Sequence, residues 1–314
     1  MVMEIRKLRR ITVRNKIAVI GSGTVGLVVA GCLAAAGHKI TCIDPSPDKV
    51  ARLNRAQMPI NEPGLEDLIA GALSKGLLHF EASLSAAISQ CDVIFLDVGL
   101  PSDRDGNLMV DDLCDVARSI GLAMDNYKII INKSTVPVGT ARALEQIIRE
   151  SQQVRNAAYP FDVVANPDFL SEGSTLQSFR HPRQVIFGVT NARAAKIMRL
   201  LYRCYEWPLE PLMVTKPETA EMIKLAANAF MDMKIAFINE IASLCEIMGA
   251  DIKQVARGIG MDDRSGLHSL KPGYWQSRFP RETRALARQA KEAGRPLKLV
   301  EAAIAVHGKQ SNFV

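Results

Sequence analysis

No run of apolar residues in this sequence approaches the ~20 that a membrane-spanning helix requires, so an integral helical membrane protein is excluded. The first residues, MVMEIRKLRRITVRNK, are basic but have no apolar segment behind them, so they do not read as a secretory signal. An Arg-rich transit peptide is the alternative. Metal-ligand spacing is also missing. The six cysteines, Cys32, Cys42, Cys91, Cys114, Cys204 and Cys245, form no CxxC pair, and none has a histidine at ligand distance. Scattered single cysteines in apolar surroundings predict reduced, buried thiols in a cytoplasmic protein and no metal site. Internal repeats and low-complexity tracts are absent as well.

The 314 residues suffice for about two domains with a large buried core. The net charge of +6 is concentrated in two segments. Residues 1–16 carry a local +5 and residues 271–298 a local +6, so the body of the chain is acidic. Basic ends of this kind suit phosphate-mediated nucleic-acid binding, solvated helix faces, or one anionic small substrate near 271–285. Solvated helix faces are the plainest of these readings of the charge alone. With the rest of the sequence taken in, the expected partner is an anionic small molecule, with no nucleic acid and no membrane.

Strand-like and helix-like runs alternate through the first two thirds. KIAVI (16–20), HKITCID (38–44), CDVIFLDVG (91–99), YKIIINKST (127–135), FDVVANP (161–167) and QVIFGV (184–189) are short β-rich runs, with helical stretches such as VDDLCDVARSIGLAM between them. This alternation predicts an α/β fold, a Rossmann-like doubly wound parallel sheet over 16–215 behind a basic extension, 1–15. From Lys216 to Met248 the pattern becomes one helix, with Pro217 in the first turn and Gly249 as the stop. It is apolar nearly all round and must be covered on most sides. An all-helical domain over 216–314, with this helix as its spine and a homodimer formed through 216–248, is expected.

GSGTVG places Gly21, Gly23 and Gly26 between the first strand and an Ala-rich helix. The three glycines serve a tight turn, backbone approach to a pyrophosphate, and close helix–strand packing. The N–H groups at the helix start, from Thr24 and Val25 onward, and the helix dipole favour phosphate. Alone this motif is weak. Asp44, at the end of the next strand, strengthens it as a ribose-binding acid, and a carboxylate there favours NAD over NADP.

Three further stretches carry candidate chemistry. NPDFLSEG (166–173) puts Asp168, Phe169, Leu170 and Glu172 at a strand end, where two carboxylates suit a base and a charge stabiliser, or else cap a helix. KLAAN places Lys224 and Asn228 at i, i+4 on one helix face. Such a pair reads equally as two oxyanion donors or as a buried structural hydrogen bond. NKSTVPVGT (132–140) sets Ser134 and Thr135 at another strand end, facing the cofactor edge, and Val98 is a further cofactor-binding candidate.

These segments in this order, together with PINEPGLEDL, VGLPSD, FINEIASLCEIMGAD and FPRETRAL, resemble the UDP-glucose/GDP-mannose dehydrogenase family over residues 16–308. The resemblance implies NAD as cofactor and oxidation of a sugar primary alcohol to a carboxylate in two hydride transfers. It also implies a dimerising helical middle and a nucleotide-binding third domain, which is expected to be absent here. Lys224, Asn228, Glu172 and Thr135 match the family pattern. Elsewhere the chain departs from it. In GYWQSRFPRE, Arg278 stands at the family's nucleophilic cysteine, Trp275 and Gln276 at two loop glycines, and Arg281 and Glu282 at a lysine and an aspartate. Asp168 replaces a glutamate, and Leu100 a threonine.

A guanidinium cannot form the thiohemiacetal through which an aldehyde passes on to an acid. The expectation is therefore one hydride transfer, on a nucleotide sugar, nucleotide or phosphorylated sugar. Lys224 or Glu282, directly or through a water, would take the hydroxyl proton, and Asn228 would stabilise the oxyanion. Arg278 and Arg281, with Tyr274, Phe169 and Leu170, would hold the anionic substrate. A redox-neutral epimerase or dehydratase with tightly held NAD, and a non-catalytic NAD-binding homologue, are the alternatives.

Overall fold

The computed structural model of the chain describes residues 15–103, 108–170, 173–202, 212–262 and 279–310. The chain divides into two compact units, Met1–Leu100 with Val110–Glu221, and Pro101–Met109 with Met222–Val314.

The first unit is built on one eight-stranded sheet. Its strands are β1 (Lys16–Ile20), β2 (Lys39–Ile43), β3 (Leu78–Glu81), β4 (Val93–Leu96), β5 (Lys128–Asn132), β6 (Phe161–Ala165), β7 (Val185–Gly188) and β8 (Leu212–Thr215), in the order β3-β2-β1-β4-β5-β6-β7-β8. The helices of this unit are α1 (Thr24–Ala35), α2 (Pro47–Leu53), α3 (Leu65–Ser74), α4 (Leu84–Gln90), α5 (Asp111–Ala123), α6 (Thr140–Val154), α7 (Thr175–Arg180) and α8 (Ala192–Leu201). Both sheet faces are covered, so the inner strands are continuous apolar runs and not alternating ones. Ile17, Val19, Ile94, Phe95, Ile130 and Ile131 are all buried. α1 is buried along Gly26–Ala34, which is why its sequence shows no polar face. The strand order reverses at β1, between β2 and β4. In a doubly wound sheet the crevice beyond the carboxyl ends of such strands is where ligands bind.

The expected α/β, doubly wound sheet is present and mostly parallel. The sheet is not wholly parallel, because β7 runs antiparallel to β6, paired through Ala165 and Gly188. A parallel neighbour needs a crossover that returns along the full strand length. The six-residue α7 instead packs beside α1, its Leu176 and Phe179 joining the same core, and the chain enters β7 from the carboxyl edge. The strands β3 and β8 were not expected from the sequence.

In the second unit α9 (Pro217–Met248) continues from the first, the division falling between Glu221 and Met222. Pro217 opens it and Gly249, at φ 71°, ends it. The Ala250 N–H donates to Cys245 O at 3.0 Å, a Schellman closure. α10 (Ile252–Gly260), α11 (Phe279–Glu292) and α12 (Lys298–Gln310) follow, and α11 packs on α12.

Candidate active site

The glycine loop sits at the strand-order reversal. Gly21 has φ 110°, and a Cβ there would lie 2.0 Å from the Asp97 carbonyl oxygen. A Cβ on Gly26 would lie 2.1 Å from the Gly21 carbonyl oxygen. These two glycines are required by the protein's own packing. Gly23 differs, because it is exposed and has φ −71°, and its Cβ would meet protein no closer than 3.6 Å. Nothing within the chain demands glycine there, so the missing side chain leaves a cradle for a ligand at the N-terminus of α1. Gly23 caps that helix without a side-chain bond. The N–H groups of Thr24 and Val25, in the first helical turn, have no intrahelical acceptor. They are available to phosphate oxygens.

Asp44 stands at the carboxyl end of β2, buried, with Ser22 Oγ donating to its Oδ2. Lys49 Nζ on α2 donates to the same oxygen at 2.7 Å, and the Ser46 N–H to Oδ1 at 3.0 Å. Burial alone would raise its pKa. The bonds from Lys49, Ser22 and Ser46 outweigh burial and hold the carboxyl below the ordinary aspartate range. Three acceptor positions of about four on an ionised carboxylate are thus filled, and one is left for a ribose hydroxyl. Glycine cradle and acid together fit the adenosine diphosphate half of a dinucleotide.

A second carboxylate lies in the same place. Asp97, one residue beyond β4, accepts the Gly26 N–H on Oδ2 at 2.6 Å. It thereby satisfies the first turn of α1, which Gly23 cannot do for itself. Cys42, whose Sγ faces the Gly21 carbonyl at 3.7 Å, reports the two acids. Burial first, and then the Asp97 and Asp44 charges, push its thiol far up.

The loop after β5 is tied to the loop after β4 by Ser134, whose Oγ donates to the Val98 carbonyl at 2.8 Å. Thr135 follows, half-buried. Asp168, Phe169 and Leu170 are half-buried after β6, and Leu170 packs against the sheet core. Asn166 anchors this loop, donating to the Ile186 carbonyl at 3.0 Å and accepting from Tyr202 Oη at 2.5 Å. Buried Glu221, in the first turns of α9, accepts the Gly139 and Ala141 N–H groups at 2.7 Å each and so caps α6.

In the second unit Lys224 and Asn228 lie one turn apart on α9, Lys224 half-buried and Asn228 buried. Asn228 Nδ2 donates to Glu282 Oε2 on α11. The structure therefore brings together two of the expected catalytic side chains. Exposed Arg281 donates from Nε to Ser102 Oγ at 2.8 Å. Glu172, Tyr274, Trp275, Gln276 and Arg278 lie outside the described residues. Among the described residues no group of His, Cys, Asp and Glu is placed to hold a metal ion, and no helix is long and apolar enough to cross a membrane.

Sequence reasoning did not single out Asp97, Lys49, Ser22 or Glu221. A trace was present for Asp97, since a charge ends the buried run VIFL at the carboxyl edge of β4. Its partner Gly26 is 71 residues away, and no spacing rule links them.

Comparison with known proteins bears on this arrangement. Residues 15–206 match the NAD binding domain of the UDP-glucose/GDP-mannose dehydrogenase family, and residues 218–308 match its central domain. The chain is 43% identical over 297 residues to a UDP-glucose 6-dehydrogenase of Rhizobium meliloti, covering 93% of this chain and 67% of the relative. It is 42% identical to UDP-glucose 6-dehydrogenase TuaD of Bacillus subtilis, covering 94% and 63%. The chain thus spans about two thirds of the length of these relatives. Among solved structures it is similar to a UDP-glucose dehydrogenase from the hyperthermophilic archaeon Pyrobaculum islandicum, with a TM-score of 0.88 and 32% identity, covering 96% of this chain and 69% of that one.

Proposed function

Because the chain belongs to the UDP-glucose/GDP-mannose dehydrogenase family and carries its NAD binding domain, we propose that it is an NAD-dependent oxidoreductase that removes one hydride from a hydroxyl-bearing carbon of an anionic substrate. The substrate class is a nucleotide sugar, a nucleotide or a phosphorylated sugar, the first being what the names of its relatives specify. The observation that supports the cofactor is the cradle at Gly23, open to a ligand and flanked by a buried ribose-type acid, Asp44.

Bound NAD supplies the hydride acceptor. Gly23, Thr24, Val25 and Asp44 would hold its adenosine end, with Gly21 and Gly26 shaping the loop, and Val98, Ser134 and Thr135 would line the far side. Glu282 would take the hydroxyl proton, since a carboxylate accepts where a charged lysine only donates. Lys224 and the second amide N–H of Asn228 would stabilise the developing oxyanion. Thr135, Asp168 and Glu172 would orient the hydroxyl. Phe169, Leu170 and Tyr274 would pack on the substrate, and Arg278 and Arg281 would pair with its phosphate. Arg278 provides no nucleophile, which supports a reaction that stops after one oxidation.

The apolar stripe on α9 supports a homodimer. Phe230, Phe237, Leu244 and Met248 recur at near-heptad spacing and are 48–73% exposed within one chain. The described cysteines are thiols and not disulfides, which suits the cytoplasm.

The test is the ratio of NADH formed to substrate consumed, over sugar nucleotides, nucleotides and sugar phosphates, with products identified by mass. One NADH per substrate is expected. Two would show that another group replaces the nucleophile. A changed product with no NADH would establish a redox-neutral cycle, and no product with any substrate would remove the enzymatic reading.

A further inference from the structure

The carboxylate of Asp97 borders the Gly23 cradle. Its Oδ2 lies 2.6 Å from the Gly26 nitrogen, and 3.6 Å from where a Gly23 Cβ would be. It therefore borders the same turn whose remaining N–H groups, on Thr24 and Val25, face a pyrophosphate. Successive residues in a helix rise only ~1.5 Å, so an anion on those groups stands within several ångströms of Asp97. The positive end of the α1 dipole, which normally draws phosphate, is already partly answered by this acid.

We infer that Asp97 limits the affinity of the dinucleotide site: its carboxylate caps the first turn of α1 in the unliganded protein and opposes the pyrophosphate when nucleotide arrives. This rests on the NAD reading above and deepens it. A site with a charge turned against its ligand releases that ligand readily. NAD is then an exchangeable co-substrate, arriving oxidised and leaving reduced in each turnover, and not a resident group of the kind a redox-neutral cycle needs. The capping role accounts for the acid's position. The repulsive role follows from that position, because the donor Asp97 satisfies is one residue from those the phosphates require.

Calorimetric titration of NAD into the full chain tests this, with wild type, Asp97→Asn and Asp97→Ala compared. Asp97→Asn keeps an oxygen to accept the Gly26 N–H but removes the charge. It should bind NAD at least about tenfold more tightly at low ionic strength, as loss of a like charge at this range implies. The gain should shrink between about 0.01 M and about 1 M salt, where the screening length falls from ~30 to ~3 Å. Asp97→Ala should also bind more tightly, while melting at a lower temperature without nucleotide because the cap is gone. A residue that was only a structural cap would lose stability and affinity together. Should Asp97→Asn fail to fold, Asp97→Ala gives the same affinity readout. Unchanged or weaker NAD binding in the neutral variants, with wild type binding normally, overturns this inference and leaves the cofactor assignment standing. Absence of NAD binding in all three proteins overturns both.

Discussion

Asp44 faces two demands, since it must bind a ribose hydroxyl and is already held by Ser22, Ser46 and Lys49. Those bonds keep the carboxylate ionised and aimed, at the expense of acceptor sites. Asp44→Ala is expected to weaken NAD binding by at least about tenfold, the scale of losing one charged hydrogen bond. Fluorescence titration with NADH checks this, and unchanged affinity would remove the ribose assignment. This residue was legible in the sequence because its role depends on local spacing: a glycine loop, a helix and a strand end in an acid. The pairing of Asn228 with Glu282 was not, since it joins residues on α9 and α11, although each was singled out by itself.

α9 shows both kinds of information on one element. Its start, stop and length follow from Pro217, Gly249 and the absence of breakers. Its tertiary bonds do not. Buried Asp232 on α9 meets His307 Nε2 on α12 at 2.9 Å. The Asp232 hydrogen bond raises the His307 pKa above 6.5, against burial and the charge of Arg284 on α11, which lower it. A raised histidine pKa stabilises the fold fully below the unfolded value and loses that contribution as pH rises through the folded value. Stability, and with it the melting temperature, should therefore fall more between pH 6 and pH 8 in wild type than in His307→Gln, by an amount on the order of 1 kcal/mol for a mostly buried pair. Parallel melting curves for the two proteins would show that the pair contributes no pH-dependent stability.

For the whole molecule, the exposed apolar stripe Phe230, Phe237, Leu244 and Met248 is the feature that points to a partner. A surface of this kind invites a second copy, and α9 of one subunit against α9 of its partner would bury it. Phe237→Glu should convert the proposed dimer to a monomer in sedimentation velocity, since a charge at a buried interface costs several kcal/mol. A wild type that sediments as a monomer would place this face elsewhere in the protein's function. The sequence showed that α9 was too apolar to stand alone, but not which of its residues the chain itself covers. Leu225, Ala229 and Ile238 face inward, and Phe230 and Phe237 do not.

What the sequence determined by itself is whatever depends on neighbours in the chain. The glycine loop and its acid, the alternating strands and helices and the limits of α9 all belong to this class. Backbone propensity, helix periodicity and short motif spacing act within about twenty residues, so they can be read in one dimension. Tertiary structure decided the reversed direction of β7, the capping of α6 by Glu221, the Asp232–His307 pair and the presence of Asp97 at the mouth of the dinucleotide cradle. Each joins groups brought together by sheet order and helix packing. Hydrogen bonds and charges act through space, and their partners are set by where strands and helices come to lie.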